Sequence, residues 1–130
     1  MWISFAWTTD ALLALRKTCT RRNWTDNYAA KFIRAYERGE PVDAYNKNPR
    51  NGGKTVGQIL LTCAPYKQLM GRFPAVDYEN EGFKWMEEHN LTIQGFPPLE
   101  FCQNWIITNE EVWVVRFAPI KLDTSQRTSP

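Results

Sequence analysis

Lys54-Thr55-Val56-Gly57-Gln58-Ile59-Leu60-Leu61-Thr62-Cys63-Ala64 is the stretch on which the fold turns. Val56, Ile59, Leu60 and Leu61 carry apolar groups of both parities, so a strand here buries both faces, as a barrel wall does. Val112-Trp113-Val114-Val115-Arg116-Phe117 is a second two-faced strand, which Pro119 is expected to end. Outward from these two, residues 2–6 and 41–46 read as further strands, and residues 18–22 as extended chain. A short helix opens at Thr8 or Thr9 and runs to about Lys17. A longer one spans residues 26–38, with Thr25 or Asp26 as its cap and Gly39 as its stop. Its apolar face is Tyr28, Phe32, Ala35 and Tyr36. Residues 77–89 and 99–107 read as two more helices, and residues 65–76 as irregular chain with room for one helical turn. Two-faced strands joined through helices predict an α+β protein with a small closed sheet flanked by helices, although an open α+β sandwich fits the same pattern.

The chain has 130 residues, which suits one domain over residues 1–122 with a polar, frayed tail at 123–130. Cys19, Cys63 and Cys102 are odd in number and widely spaced. With no signal-like start, they fit reduced thiols and a cytoplasmic setting. No apolar run reaches membrane-spanning length. No Cys or His pair has metal-ligand spacing, so neither a metal nor a cofactor is expected. The net charge of +2 says little about partners, but its distribution says more. Arg16, Lys17, Arg21, Arg22, Lys31, Arg34 and Arg38 form a basic region, and acidic residues dominate from Asp77 to Glu111. Such a chain can draw a polyanion locally; the same pattern also describes plain solvated helix faces.

Ile3-Ser4-Phe5-Ala6-Trp7 followed by Leu15-Arg16-Lys17-Thr18-Cys19-Thr20-Arg21-Arg22 resembles the opening of an ASCH domain, a branch of the PUA-like β-barrels. That family carries a Gly-Arg-Lys-Thr-x-Thr-x-Arg type motif, and Leu15 stands where it has glycine. The resemblance continues, in order, through residues 39–45, Pro49-Arg50-Asn51-Gly52-Gly53-Lys54, Leu60-Leu61-Thr62, Glu81-Gly82-Phe83 and the closing strand. It implies a small PUA-like mixed barrel of about five to six strands flanked by several helices, with RNA or a modified nucleoside bound in a cleft beside it. Some members similar at the Lys-Thr-x-Thr motif remove the acetyl group of N4-acetylcytidine with a Lys, a Thr and a Glu. Others are ribonucleases. Carried over, these residues are Lys17, Thr20 and Glu81, with Glu79 as the competing carboxylate.

Amide hydrolysis needs a nucleophile, a base and a group that supports the tetrahedral intermediate. Thr20 is either the nucleophile or the holder of a water. Lys17 acts as base if burial and the neighbouring Arg16, Arg21 and Arg22 lower its pKa. Glu81 would position water or return a proton to the leaving amine. On a regular strand residues three apart face opposite sides, so Lys17 meets Thr20 only from a turn ahead of the strand or across a bulge. Trp7 is the preferred stacking aromatic, with Tyr45 beside it, and Arg21, Arg22, Arg50 and Lys54 are candidate phosphate contacts. Arg116, on an otherwise apolar strand, calls for a carboxylate partner or access to the cleft. The Gly-Lys-Thr at residues 53–55 lacks the first glycine and the following helix of a P-loop, which argues against a nucleotide hydrolase of that kind. A non-catalytic RNA-binding module and a ribonuclease stay open beside the deacylating hydrolase.

Overall fold

The computed structural model describes residues 1–123; the expected frayed tail lies almost wholly outside the described residues. Six strands form one curled sheet: β1 (Trp2–Ser4), β2 (Cys19–Arg22), β3 (Val42–Tyr45), β4 (Thr55–Leu61), β5 (Tyr66–Leu69) and β6 (Glu111–Leu122). Their order is β1-β3-β4-β6-β2, with β5 paired to β6. β1 runs parallel to β3 and every other ladder is antiparallel. β6 organises the whole: Val112, Val114, Val115 and Phe117 are buried, and its ladders engage β5 and β2 in one half and β4 in the other. Among the described residues no ladder joins β1 to β2, so the expected barrel is a half-barrel with a seam between those two strands.

Five helices cover the sheet: α1 (Thr9–Leu13), α2 (Asp26–Arg38), α3 (Asp77–Asn80), α4 (Phe83–Glu88) and α5 (Pro98–Thr108). α2 starts where Thr25 accepts the Tyr28 amide and stops at Gly39, whose φ of 64° provides the left-handed exit. Its buried stripe is Ala29, Phe32 and Ala35, so the stripe is turned from the expected one and leaves Tyr28 and Tyr36 at the surface. Ile3, Phe5, Leu12, Phe32, Val42, Val56, Ile59, Val115 and Phe117 form the core inside the curl. A second apolar cluster, including Phe83, Trp85, Met86, Ile93 and Cys102, joins α4 and α5 to Ala11 of α1.

Four expectations about elements are corrected. α1 ends at Leu13, short of Lys17, because Leu15 takes a left-handed turn at φ 62°. The expected helix over residues 77–89 is two helices, broken at Gly82. β5 forms where irregular chain was expected; its mostly exposed residues at the sheet edge lack the apolar alternation that marks a strand. β6 continues through Pro119 because a register shift between Gln58 and Ile59 interrupts the ladder beside it, where a missing N–H costs little.

Gly82 has φ 87°, and a Cβ built there would stand 2.7 Å from the Ala11 Cβ and 3.3 Å from the Lys17 Cβ. The left-handed backbone and this close approach let the α3–α4 turn dock on the chain just before β2. Gly82→Ala is expected to lose about 2–3 kcal/mol, from backbone strain plus overpacking, read as a lowered urea midpoint.

Candidate active site

Lys17 lies in the short segment between α1 and β2, ahead of the strand, and among the described residues its hydrogen bonds run to Glu81 and not to Thr20. From that position Lys17, Cys19 and Arg21 all turn to the same carboxylate. The Lys17 ammonium donates to the Glu81 carbonyl oxygen at 2.8 Å and to Glu81 Oε1 at 3.2 Å. Arg21 Nη1 donates to Glu81 Oε2 at 2.7 Å, and the Cys19 thiol approaches the same oxygen at 3.6 Å. The Thr18 amide also donates to the Asn80 carbonyl, so backbone as well as side chains fasten α3 to this segment.

Asp77 is the second anchor. Its carboxylate accepts from Arg21 Nη2 at 2.5 Å, from Arg116 Nη1 and Nη2 at 3.0 and 2.8 Å, and from Asn80 at 3.0 Å. Arg116 thus finds the carboxylate that its apolar strand calls for. Gln68 of β5 accepts from Arg21 Nε and Nη2, and the guanidinium carbon sits 4.4 Å from the centre of the Phe73 ring. Lys17, Arg21, Asp77 and Glu81 are all buried, forming a polar core between the two apolar clusters.

Burial pushes the Lys17 ammonium below its ordinary pKa, against the opposing pull of Glu81. That pull is divided, since Glu81 also serves Arg21, whose guanidinium keeps its proton. Burial, together with Glu81, pushes the Cys19 thiol up to about 12, so at neutral pH it is a protonated donor and not a nucleophile. Burial on its own would raise the Asp77 carboxyl, yet hydrogen bonds from Arg116, Arg21 and Asn80 hold it well below the usual carboxylate range.

A cavity of about 250 Å³ opens beside this cluster at the seam of the sheet. Lys17, Thr20, Arg21, Arg22 and Glu81 line one side, and Phe5, Trp7, Phe83, Phe101 and Trp105 supply aromatic wall. Thr20 and Arg22 share the face of β2 opposite Cys19 and Arg21, and Arg22 Nε donates to Thr20 Oγ1 at 3.1 Å. The Thr20 hydroxyl therefore has one lone pair engaged while its own proton is free to be donated. Trp7 stands at the mouth, 55% exposed.

The remaining sequence candidates lie elsewhere. Tyr45 packs edge-on against Trp2, with ring centres 6.0 Å apart, and does not line this cavity. Arg50 and Lys54 are exposed on the loop between β3 and β4, outside the lining of this cavity, where the Arg50 amide donates to the Asn48 side chain and the Lys54 amide to that of Asn46. Glu79, the competing carboxylate, is half-exposed and paired with Arg16 at 2.6 Å, away from the cavity wall. Sequence reasoning passed over Asp77 and Gln68; the one available signal was Arg116, a charge on an apolar strand that required a buried partner.

Among the described residues no group of three or more His, Cys, Asp or Glu side chains could hold a metal ion, and no helix is long and apolar enough to cross a membrane. The arrangement defines an α+β half-barrel with a buried lysine–glutamate–arginine cluster opening on an aromatic cavity. No family model matches the sequence, and no curated protein matches it. Among solved structures, protein EF3133 from Enterococcus faecalis, of the family DUF984, aligns with a TM-score of 0.49 at 14% identity, over 97% of this chain and 77% of that one.

Proposed function

We propose that this protein is an ASCH-type hydrolase that deacylates a modified nucleoside such as N4-acetylcytidine. The observation that carries the reading is that Lys17, Thr20 and Glu81 line one aromatic cavity, with Lys17 buried. The left-handed turn at Leu15, where the family motif has glycine, further supports the resemblance. A planar base fits between aromatic walls, and a cavity of this size suits one nucleoside better than a length of RNA.

In this reading Lys17 as the free amine takes the Thr20 hydroxyl proton, and Thr20 Oγ1 adds to the acetyl carbonyl carbon. The tetrahedral oxyanion lies near Arg22, which already donates to the attacking oxygen. The carbon–nitrogen bond then breaks, and the Lys17 ammonium returns its proton to the departing exocyclic amine, releasing cytidine. Water hydrolyses the threonine ester, giving acetate and regenerating the hydroxyl. Glu81 plays a different part from the one expected of it. Both its oxygens are taken by Lys17, Arg21 and Cys19, so it is a positioning residue that fixes Lys17 and leaves proton transfer to the amine.

The test is incubation with N4-acetylcytidine and chromatographic detection of cytidine and acetate. Turnover by wild type that is abolished in Thr20→Val is expected. No turnover by wild type, or full turnover by Thr20→Val, removes the proposal.

A further inference from the structure

Among the cations around the cavity, Arg22 stands apart. Arg21 has Glu81, Asp77 and Gln68; Arg116 has Asp77 and Tyr66; Lys17 has Glu81. Arg22 is half-buried, yet among the described residues no carboxylate pairs with it. Its hydrogen-bond partner is the Thr20 hydroxyl, through Nε, and its guanidinium lies 5.7 Å from the centre of the Phe5 ring. Burial works against its charge, and Glu81 opposes that only at a distance, with no ion pair formed. A guanidinium so placed has its terminal nitrogens left to bind an anion.

Its position shows where that anion would sit. Arg22 lines the 250 Å³ cavity and also a second one of about 460 Å³ on the other side of the seam, and Ser4 and Ala6 are shared by both walls. The second cavity is completed by Trp2, Trp24, Tyr28 and Asn48. Asn48 uses its side-chain oxygen to cap the turn at Arg50, which leaves its amide group to donate. A guanidinium, a serine hydroxyl and an amide converge on a space that holds no carboxylate. These are donors for phosphate oxygens.

We infer that Arg22 and the second cavity bind the ribose phosphate of the substrate, so that the ligand of this site is a phosphorylated nucleoside whose base enters the first cavity. This deepens the proposed function and rests on it for the placement of the base. The phosphate belongs either to a free mononucleotide or to a nucleotide within RNA, and the two sources separate experimentally.

Binding, followed by tryptophan fluorescence or calorimetry, is compared for cytidine, 5′- and 3′-cytidine monophosphate, and a trinucleotide with cytidine in the middle. At least one monophosphate is expected to bind about ten-fold or more tighter than cytidine, the increment of a charge-assisted contact. A gain seen with the trinucleotide alone assigns the phosphate to RNA. Inorganic phosphate displaces the nucleotide from wild type, a check that does not depend on any variant folding. Arg22→Gln abolishes the gain and Arg22→Lys restores part of it. Equal binding of all four ligands, or a gain that survives Arg22→Gln, overturns the inference. Since binding is read without turnover, an inactive protein that still prefers the phosphate through Arg22 sinks the hydrolase and leaves this site standing. An active one that binds nucleoside and nucleotide alike does the reverse.

Discussion

Asp77→Ala is expected to lower the stability of the folded protein by about 3–5 kcal/mol, the usual cost of leaving buried cations without their partner. Asp77 is fully buried and accepts from two guanidinium groups at once. Without it Arg21, whose side chain is also fully buried, keeps the Glu81 carboxylate and the neutral Gln68, and Arg116 loses both of its bonds to the carboxylate. The loss is a large share of the roughly 5–15 kcal/mol that holds a domain together. It should appear as a drop in the urea midpoint at unchanged m-value, since the surface exposed on unfolding hardly changes.

The same carboxylate makes wild type sensitive to acid, and the sign follows from its depressed pKa. Between the folded value and the unfolded value of about 3.9, the unfolded chain binds more protons, so stability rises with pH. The contribution of Asp77 is complete above about pH 4 and is lost as the pH falls through the folded value. Urea melts of wild type at pH 7 and pH 3 should therefore differ more than those of the alanine variant. Equal losses in both proteins would mean that other carboxylates govern acid unfolding.

The half-barrel is legible in the sequence because its walls are local patterns. Val56 to Leu61 and Val112 to Phe117 announce buried strands by composition, and Thr25 and Gly39 bracket α2 by their own backbone chemistry. What escaped lies where local pattern and tertiary contact disagree. The apolar spacing over residues 77–89 continues smoothly across Gly82, and the break there is imposed by contact with Ala11 and Lys17, far back along the chain. The site shows the same division. The opposite facing of Thr20 and Arg21 follows from strand parity. The convergence of Lys17, Cys19 and Arg21 on Glu81 does not, for that carboxylate is 60 to 64 residues downstream. Glu79 and Glu81 have the same parity and the same charge, and only packing decides that one pairs with Arg16 at the surface while the other is drawn into the polar core.

The seam between β1 and β2 gives the site its location. Along the path from β1 through β3, β4 and β6 to β2, ladder hydrogen bonds join each strand to the next; at the seam side chains must fill the gap, and Phe5, Thr20 and Arg22 do so incompletely, leaving two cavities. The buried ions behind the seam hold β2 in place without a ladder to β1. Arg21 is tied to α3 through Asp77 and to the α3–α4 turn through Glu81. The face of β2 with Cys19 and Arg21 thus carries structural contacts and the face with Thr20 and Arg22 lines the cavities, while Lys17, ahead of the strand, is proposed to take part in both.

Lys17→Met separates these roles. The substitution is expected to reduce kcat for N4-acetylcytidine by about 10²–10⁴-fold, the range for loss of a general base, at a stability cost of about 1–3 kcal/mol, because Glu81 Oε1 and the Glu81 carbonyl lose their donor. Methionine fills nearly the same volume without an amine. Glu81 Oε2 would keep Arg21 at 2.7 Å and the Cys19 thiol, so the carboxylate stays paired and the loss is smaller than in Asp77→Ala. The pH profile supplies the readout that a merely structural role would not move. If Lys17 is the proposed base, its free amine is the active form, and wild-type kcat should rise with pH and level off at a value below the ordinary 10.5 of lysine, in the direction that burial shifts the group. In Lys17→Met the residual rate should lack that rise. A folded variant that is equally active, with the same pH profile, would show that Lys17 only helps to hold the polar core and that the base lies elsewhere.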